Sequence, residues 1–242
     1  MEGHSYEEIA KIEYVNRWYA ARRELIDGIL TRLGRRFQNA LDMGCGTGAN
    51  FSALRAHAER VTGLDISNEA LRYCKSSGYA QVIQASAEAV AIPSSSYDLV
   101  LCADLLEHGN DERMMSEINR VLRPGGFAII TVPAHRILWN WNDLYGHHKR
   151  RYSRKQLEHL FSAYPMKISW IRHWNAVFFF PVLFVALFQR ILSPPDRLAN
   201  NLSMVPSFFN ARALSFLRIE NALIHKILFP FGVSYVSILQ KT

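Results

Sequence analysis

Cysteine is scarce in this chain: Cys45, Cys74 and Cys102 are the only three in 242 residues. None stands in a CxxC pair and the number is odd, so a disulfide framework is excluded and reduced thiols in a cytoplasm are expected. Long apolar runs are also lacking. The longest, Ala176–Phe188, has 13 residues and contains Pro181, whereas a spanning helix needs about 20. The opening stretch "MEGHSYEEIAKIEYVNRWYAARRELIDGIL" has neither the basic start, the apolar stretch nor the cleavage site of a signal peptide. Repeats and low-complexity segments are absent, and 49% hydrophobic with 20% charged residues describes an ordinary globular chain.

Charge is present but unevenly placed. Residues 1–148 carry 15 Lys and Arg against 18 Asp and Glu, and residues 149–242 carry 13 against 3. A basic, aromatic-rich second part points to an anionic partner: nucleic acid, a phospholipid surface or a phosphorylated substrate.

Apolar spacing predicts a helix over 5–33 that stops at Gly34. Strand and helix then alternate five times, with strands at Gln38–Met43, "VTGLDIS", "AQVIQA", "YDLVLCA" and "FAIITVP". Short connections between them predict an α/β fold of parallel strands with right-handed crossovers. Ser67 caps one helix, Asp111 opens another that "RPGG" breaks, and Ser153 with Gln156 forms a capping box. "MKISWIRH" and "GVSYVSILQ" read as two more strands. The chain thus divides into an N-terminal helical cap (1–34), a core (35–174), an apolar and basic helical insertion (175–230) and a closing strand (231–242). For the Phe-rich part of that insertion, core packing, a dimer face, a pocket cover and an interfacial membrane element all remain open.

"LDMGCGTGAN", residues 41–50, sets glycines at 44, 46 and 48 directly after the first strand. Such a turn aims backbone N–H groups at a ligand beyond the strand's carboxyl end. Its G-x-G-x-G spacing leans away from the dinucleotide fingerprint, which disfavours a nicotinamide dehydrogenase. Asp65 ends the second strand, where a carboxylate can accept from both ribose hydroxyls.

These pieces, with "YDLVLCADLLEH" and "INRVLRPGGFAIITVP", resemble the class I S-adenosylmethionine-dependent methyltransferases across residues 38–133. The resemblance implies a Rossmann-like seven-stranded sheet, mostly parallel with an antiparallel last strand and helices on both faces, with the apolar helical insertion before that strand. It also implies S-adenosylmethionine as cofactor. Gly44, Cys45 and Gly46 would pass beneath its methionine part, Asp42 would orient the turn and the amino group, and Asp65 would hold the ribose. Ile66 would lie against the adenine, and Ala103 with Asp104 would line the methionine end. Where the family has an acidic residue near the adenine this chain has Ser86, so its hydroxyl or the Ala87 amide is expected there. "NRWYAARRELI", "VPAHRILWNWNDLYGHHKRRYSRKQL" and "PFGVSYVSILQK" are similar to a branch whose members accompany polysaccharide, lipid or secondary-metabolite assembly.

Methyl transfer from a sulfonium is an in-line displacement, and a neutral acceptor hydroxyl also needs a base near neutral pH, for which histidine is suited. His108, His147 and His148 are the candidate catalytic residues. His135, Trp139, Asp143, Tyr145 and Arg151 are candidate substrate contacts, and Arg150, Arg151 and Tyr152 are suited to a phosphate or carboxylate. Trp18, Tyr19, Arg22 and Arg23 are candidates to close over the cofactor. Asp104, Glu107 and His108 could ligate a cation, but no second cluster supports them and no metal is expected. The acceptor expected is a small molecule or an amphiphile, methylated at oxygen or nitrogen, with peripheral contact to an anionic membrane and a homodimer left open. Two rivals are a nucleic-acid methyltransferase using the basic tail and a catalytically silent cofactor-binding protein. The first is disfavoured because "ADLLEH" stands where base-amine methyltransferases carry Asn/Asp-Pro-Pro-Tyr.

Overall fold

The structure is a computed structural model that describes residues 17–192 and 207–242. Residues 5–16 of the expected first helix lie outside the described residues, and its described part is α1, Arg17–Leu33. There follow β1 (Phe37–Met43), α2 (Phe51–His57), β2 (Ala58–Asp65), α3 (Asn68–Ser77), β3 (Gln81–Gln84) and β4 (Tyr97–Ala103). The chain continues through α4 (Asp111–Val121), β5 (Leu122–Pro133), α5 (Trp141–Tyr145), α6 (Arg154–Ser162), β6 (Met166–Trp174) and α7 (Phe179–Gln189). It ends with α8 (Ser207–Leu223) and β7 (Ser234–Lys241).

The seven strands form one sheet in the order β3-β2-β1-β4-β5-β7-β6. β1 to β5 pair in parallel, and β7 slots between β5 and β6, antiparallel to both. The reversal of order at β1 and β4 opens a crevice beyond their carboxyl ends, the usual ligand position in such sheets.

The strands read as continuous apolar runs because both faces are covered. On β4, Val100 and Cys102 join one core while Leu99, Leu101 and Ala103 join the other. The first core packs against α4 and α6 through Met115, Ile118, Leu157 and Phe161. The second packs against α1, α2, α3 and α8 through Ile26, Ile29, Leu54, Leu71 and Leu217. Each such side chain contributes about 1.5–3 kcal/mol of burial.

Local signals behave as their chemistry dictates. Ser67 Oγ accepts from the Ala70 N–H, and Ser153 with Gln156 closes a reciprocal capping box. The helix before "RPGG" ends at Val121, but "LRPGG" is drawn into β5 instead of forming a separate break. Pro124 is tolerated because the β7 pairing starts only at Phe127 and the β4 register shifts between Tyr97 and Leu99. Asp98 accepts from the Gln38 and Asn39 N–H groups at 2.8 Å each, which pins the start of β1.

The Phe-rich segment does not pack into the core of this chain. In α7 only Ala186 is buried, while Phe184 is 72% exposed and Phe188 55%. Among the described residues no helix is long and apolar enough to cross a membrane.

Candidate active site

The glycine turn leaves β1 with three left-handed residues: φ is +77° at Gly44, +53° at Gly46 and +92° at Gly48. The Gly44 and Cys45 N–H groups donate to the Leu64 carbonyl at 2.7 and 3.0 Å, fastening the turn to β2. A Cβ at Gly44 would stand 2.8 Å from Leu105 Cδ1, and one at Gly48 would stand 3.2 Å from Tyr79. A Cβ at Gly46 would meet nothing within 4 Å. Two of the glycines therefore make room for this chain's own side chains, and only Gly46 looks onto open space.

Asp65 braces the turn. Its Oδ2 accepts from the Gly46 N–H at 2.9 Å and its Oδ1 from the Ser67 N–H at 2.9 Å. Each oxygen keeps acceptor capacity for a further donor. Asp42 is fully buried beneath the turn and accepts from the Tyr79 hydroxyl at 2.7 Å. Cys45 and Cys74 are buried with their sulfurs 3.4 Å apart, so Cys45 presents its backbone and not its thiol to a ligand.

Around this turn, Ile66 is 71% exposed at the end of β2 although its side chain is apolar. Ala87 is buried nearby, and the Ser86 hydroxyl accepts from the Glu88 N–H at 3.2 Å, closing its own turn. At the end of β4, Ala103 leads into Asp104, which has a left-handed φ of +52°. Asp104 is engaged by the protein itself: Arg22 reaches Oδ2 at 2.6 Å and the Thr131 hydroxyl donates to Oδ1 at 3.0 Å. The Arg22 guanidinium lies 5.0 Å from the Trp18 ring centroid and 5.1 Å from that of Tyr19. Helix α1 is thereby latched over the β4 end of the crevice. The open side of Gly46, the exposed Ile66 and the half-occupied Asp65 carboxylate fit S-adenosylmethionine. A hydroxyl pair can donate to Asp65, a flat ring can lie on Ile66, and an extended chain can cross Gly46.

The other side of the crevice, where an acceptor is expected, is built from the turn after β4 and the loop after β5. The Lys149 N–H donates to the Glu107 carbonyl at 2.8 Å, drawing the two segments together. Asn140 and Asp143 form a capping box at α5. The Asp143 carboxylate is fully buried; it accepts from Arg151 Nε at 2.8 and 2.9 Å and from the Asn140 N–H at 2.9 Å, and it lies 2.9 Å from His148 Nδ1. Burial alone would raise its pKa, but His148 and Arg151 hold it below the usual carboxylate range. With Nδ1–H donated to Asp143, the other ring nitrogen of His148 is left as an acceptor.

His148 stands edge-on to His108, with ring centroids 4.8 Å apart. Burial, and then the neighbouring His148, lower the His108 pKa to about 4, so it is neutral at physiological pH. Glu107 is fully buried, and neither carboxylate oxygen has a partner from another residue. Burial, with Asp104 nearby, raises its pKa well above the ordinary value. Ligand atoms of Glu107, His108 and His148 lie within 4.8 Å of one another, a set of donors that suits a borderline divalent cation. His148 is the member that the sequence pattern did not connect to this cluster.

Other expected positions fall elsewhere. Asp143, expected as a substrate contact, is fully buried behind His148 and Arg151. Arg151 bonds Asp143 and the Ala134 carbonyl and also lines the adjoining cavity. His135 is turned into a separate cluster, with Nε2 3.0 Å from His173 Nε2 and its ring against Phe179. His147 is exposed with a left-handed φ of +55°, and no hydrogen bond ties it to the His108–His148 pair. Trp139 lines the cavity, and Tyr145 is half-buried on α5.

Residues 41–130 match the family described as "Methyltransferase domain". The chain is 32% identical over 153 residues to a malonyl-[acyl-carrier protein] O-methyltransferase of Enterobacter lignolyticus, covering 59% of this chain and 60% of that one. It is 30% identical over 146 residues to a ubiquinone biosynthesis O-methyltransferase of Paracidovorax citrulli, covering 51% and 60%. The chain thus spans about 60% of the length of these relatives. Among solved structures, it resembles the [4+2]-cyclase SpnF (TM-score 0.59, 18% identical, covering 90% of this chain and 81% of that one). An S-adenosylmethionine-dependent methyltransferase from Mesorhizobium loti is similar at TM-score 0.57, 15% identity and coverage of 86% and 92%. At these identities the likeness is one of fold.

Proposed function

We propose, from the premise that the chain belongs to the class I S-adenosylmethionine-dependent methyltransferases, that it methylates a hydroxyl oxygen of a small-molecule or lipid-linked acceptor. The observation that carries the oxygen assignment is the Asp143–His148 pair at 2.9 Å beside the neutral His108. It supplies a base of fixed tautomer on the acceptor side of the crevice. The two curated relatives, both named O-methyltransferases, support the same atom.

S-adenosylmethionine would be held by the Gly44–Gly46 backbone, Asp65 and Ile66, and when bound it supplies an electrophilic methyl on a sulfonium. The chain's own work is then alignment, dehydration and proton removal. The latch of Arg22 on Asp104 closes the crevice on one side, and the Glu107–Lys149 backbone bond fixes the acceptor loops on the other. Well-oriented proximity is worth about 7–11 kcal/mol. His148 takes the acceptor's proton on the ring nitrogen facing away from Asp143, and the buried carboxylate stabilises the resulting imidazolium. His108, with its pKa at about 4, is too weak a base for that step, and its role is to wall the pocket and keep it dry.

The exposed apolar face of α7 and the basic charge of residues 149–242 support peripheral contact with an anionic membrane, from which an amphiphilic acceptor would be drawn. The test is transfer of labelled methyl from S-adenosylmethionine to a host-cell extract, followed by phase partition. Label in the organic phase is the expected result. Label confined to the aqueous phase would replace the lipid-linked acceptor with a soluble one, and no transfer to any extract would overturn the reading. The [4+2]-cyclase of the same fold is a reminder that fold alone does not decide chemistry.

A further inference from the structure

Beside α7 lies an open cavity of about 820 Å³ lined by Arg136, Ile137, Trp139, Lys149, Arg150, Arg151, Gln156 and Arg190. Five of its walls are cationic and none is acidic. Two of those charges are neutralised inside the protein: Arg151 by Asp143, and Arg150 by Asp111, its Nη1 2.5 Å from the carboxylate. Arg136 and Lys149 are exposed and have no acidic partner among the described residues, and Arg190 spends its hydrogen bond on the Ile137 carbonyl at 3.0 Å. Three positive charges therefore face one cavity without a counter-charge. Such an arrangement is matched by a phosphomonoester dianion better than by a single carboxylate.

The cavity is continuous with an apolar surface. Arg190 follows directly on α7, and Gln189 Oε1 accepts from the Trp141 N–H at 2.9 Å, so the end of α7 is docked at the cavity rim. The root of the helix is held too. Glu220 accepts from the Ala176 N–H at 3.0 and 3.1 Å, and Phe179 and Phe180 pack on Phe231. What this rigid mounting presents outward is Phe180, Phe184, Val185, Leu187, Phe188 and Ile191, all at least 44% exposed. The rings of Phe184 and Phe188 run nearly parallel, 6.5 Å apart. A cationic cavity with an apolar helix at its mouth has the two-part chemistry of an amphiphile.

We propose that this cavity binds the phosphomonoester head of a membrane lipid, with α7 seated among the surrounding acyl chains. The assignment deepens the acceptor reading above and rests on it for the link to catalysis: Arg151 borders the cavity and also holds Asp143, the partner of His148. A lipid head in the cavity would thus lie one side chain away from the base.

The test uses the full chain and phosphatidylcholine vesicles doped with phosphatidic acid, compared with vesicles carrying the same mole fraction of phosphatidylserine. Co-sedimentation is expected to favour phosphatidic acid. Arg136→Ala with Lys149→Ala should weaken that binding roughly tenfold or more, two surface cations being lost. Phe184→Ser with Phe188→Ser should abolish vesicle binding yet leave the chain able to bind water-soluble dihexanoyl phosphatidic acid. Equal binding to both vesicle types, unaffected by Arg136→Ala with Lys149→Ala, would overturn the proposal. So would binding of inorganic phosphate without any vesicle retention. Because sedimentation needs no cofactor, a chain that binds phosphatidic acid but moves no methyl would refute the methyltransferase reading alone. One that moves methyl without binding would refute this site alone.

Discussion

The two ends of the crevice are built on opposite plans. At the glycine turn the three carboxylates are already engaged by neighbours: Asp65 by two backbone amides, Asp104 by Arg22 and Thr131, Asp42 by Tyr79. At the acceptor end, Glu107 is buried without a partner from another described residue, while Arg136 and Lys149 stand exposed with no acid beside them among the described residues. A site for one fixed ligand can be preorganised by internal bonds, at little cost when the ligand arrives. A site whose ligand supplies the missing charge must keep its own groups waiting. The difference predicts that damage at the first end appears as lost stability and cofactor affinity, and damage at the second as lost turnover and lost acceptor selectivity.

The sharpest test of that division is His148→Ala. We expect kcat to fall about 10²–10⁴-fold, while calorimetric affinity for S-adenosylhomocysteine stays unchanged; a parallel loss of cofactor affinity would merge the two ends. Next in size is the response to acid. His108 is held neutral in the fold, with a pKa of about 4 against an ordinary 6.5, so the unfolded chain binds its proton first. Stability should therefore decline as pH falls from 6.5 towards 4, by at most about 3 kcal/mol from this residue. Denaturant melts across that window should show a flatter slope in His108→Gln.

Within the glycine turn the comparison can be made one residue apart. Gly44→Ala combines a left-handed backbone with a contact at 2.8 Å to Leu105 and should destabilise the fold by about 2–3 kcal/mol. Gly46→Ala meets open space, so only the backbone strain of about 1–2 kcal/mol remains, and its distinctive effect should be weaker S-adenosylhomocysteine binding. Equal melting losses for the two would contradict the view that only Gly46 faces the ligand. The smallest effect belongs to α7: Phe184→Ser, at a side chain 72% exposed, should change stability by less than about 0.5 kcal/mol in a thermal melt.

Much of the cofactor end was legible in the sequence because its signals are local. Short apolar strand runs, glycines after β1, the Ser67 and Ser153 caps and the acid at the end of β2 all act within a few residues of one another. Even so, the spacing alone does not tell which glycine faces open space, because Leu105 and Tyr79, the neighbours that fill it at Gly44 and Gly48, come from elsewhere in the chain. The rest of the crevice depends on pairings that no spacing announces. Arg22 meets Asp104 from 82 residues away, and the turn that brings His148 against His108 relies on one backbone bond from Lys149 to Glu107. Asp143 was expected at the substrate because it sits among aromatic pocket residues. The five-residue step to His148, folded back by the α5 capping box, gave it an interior partner instead.

The latch on Asp104 has a history that its geometry implies. Arg22 rides on α1, and α1 is clasped by α8: Arg218 forks onto Glu24 at 2.6–3.0 Å, and Asn221 donates to the Ala21 carbonyl at 2.9 Å. Those partners are about two hundred residues apart in the chain. Likewise β7, the last strand, must enter between β5 and β6, which are already made. During synthesis the glycine turn and Asp65 emerge early, yet the clasp on α1 that closes over them must wait for the ribosome to release α8. Until α8 has emerged and folded onto α1, the helix that carries Arg22 lacks its clasp and the crevice stands open on that side.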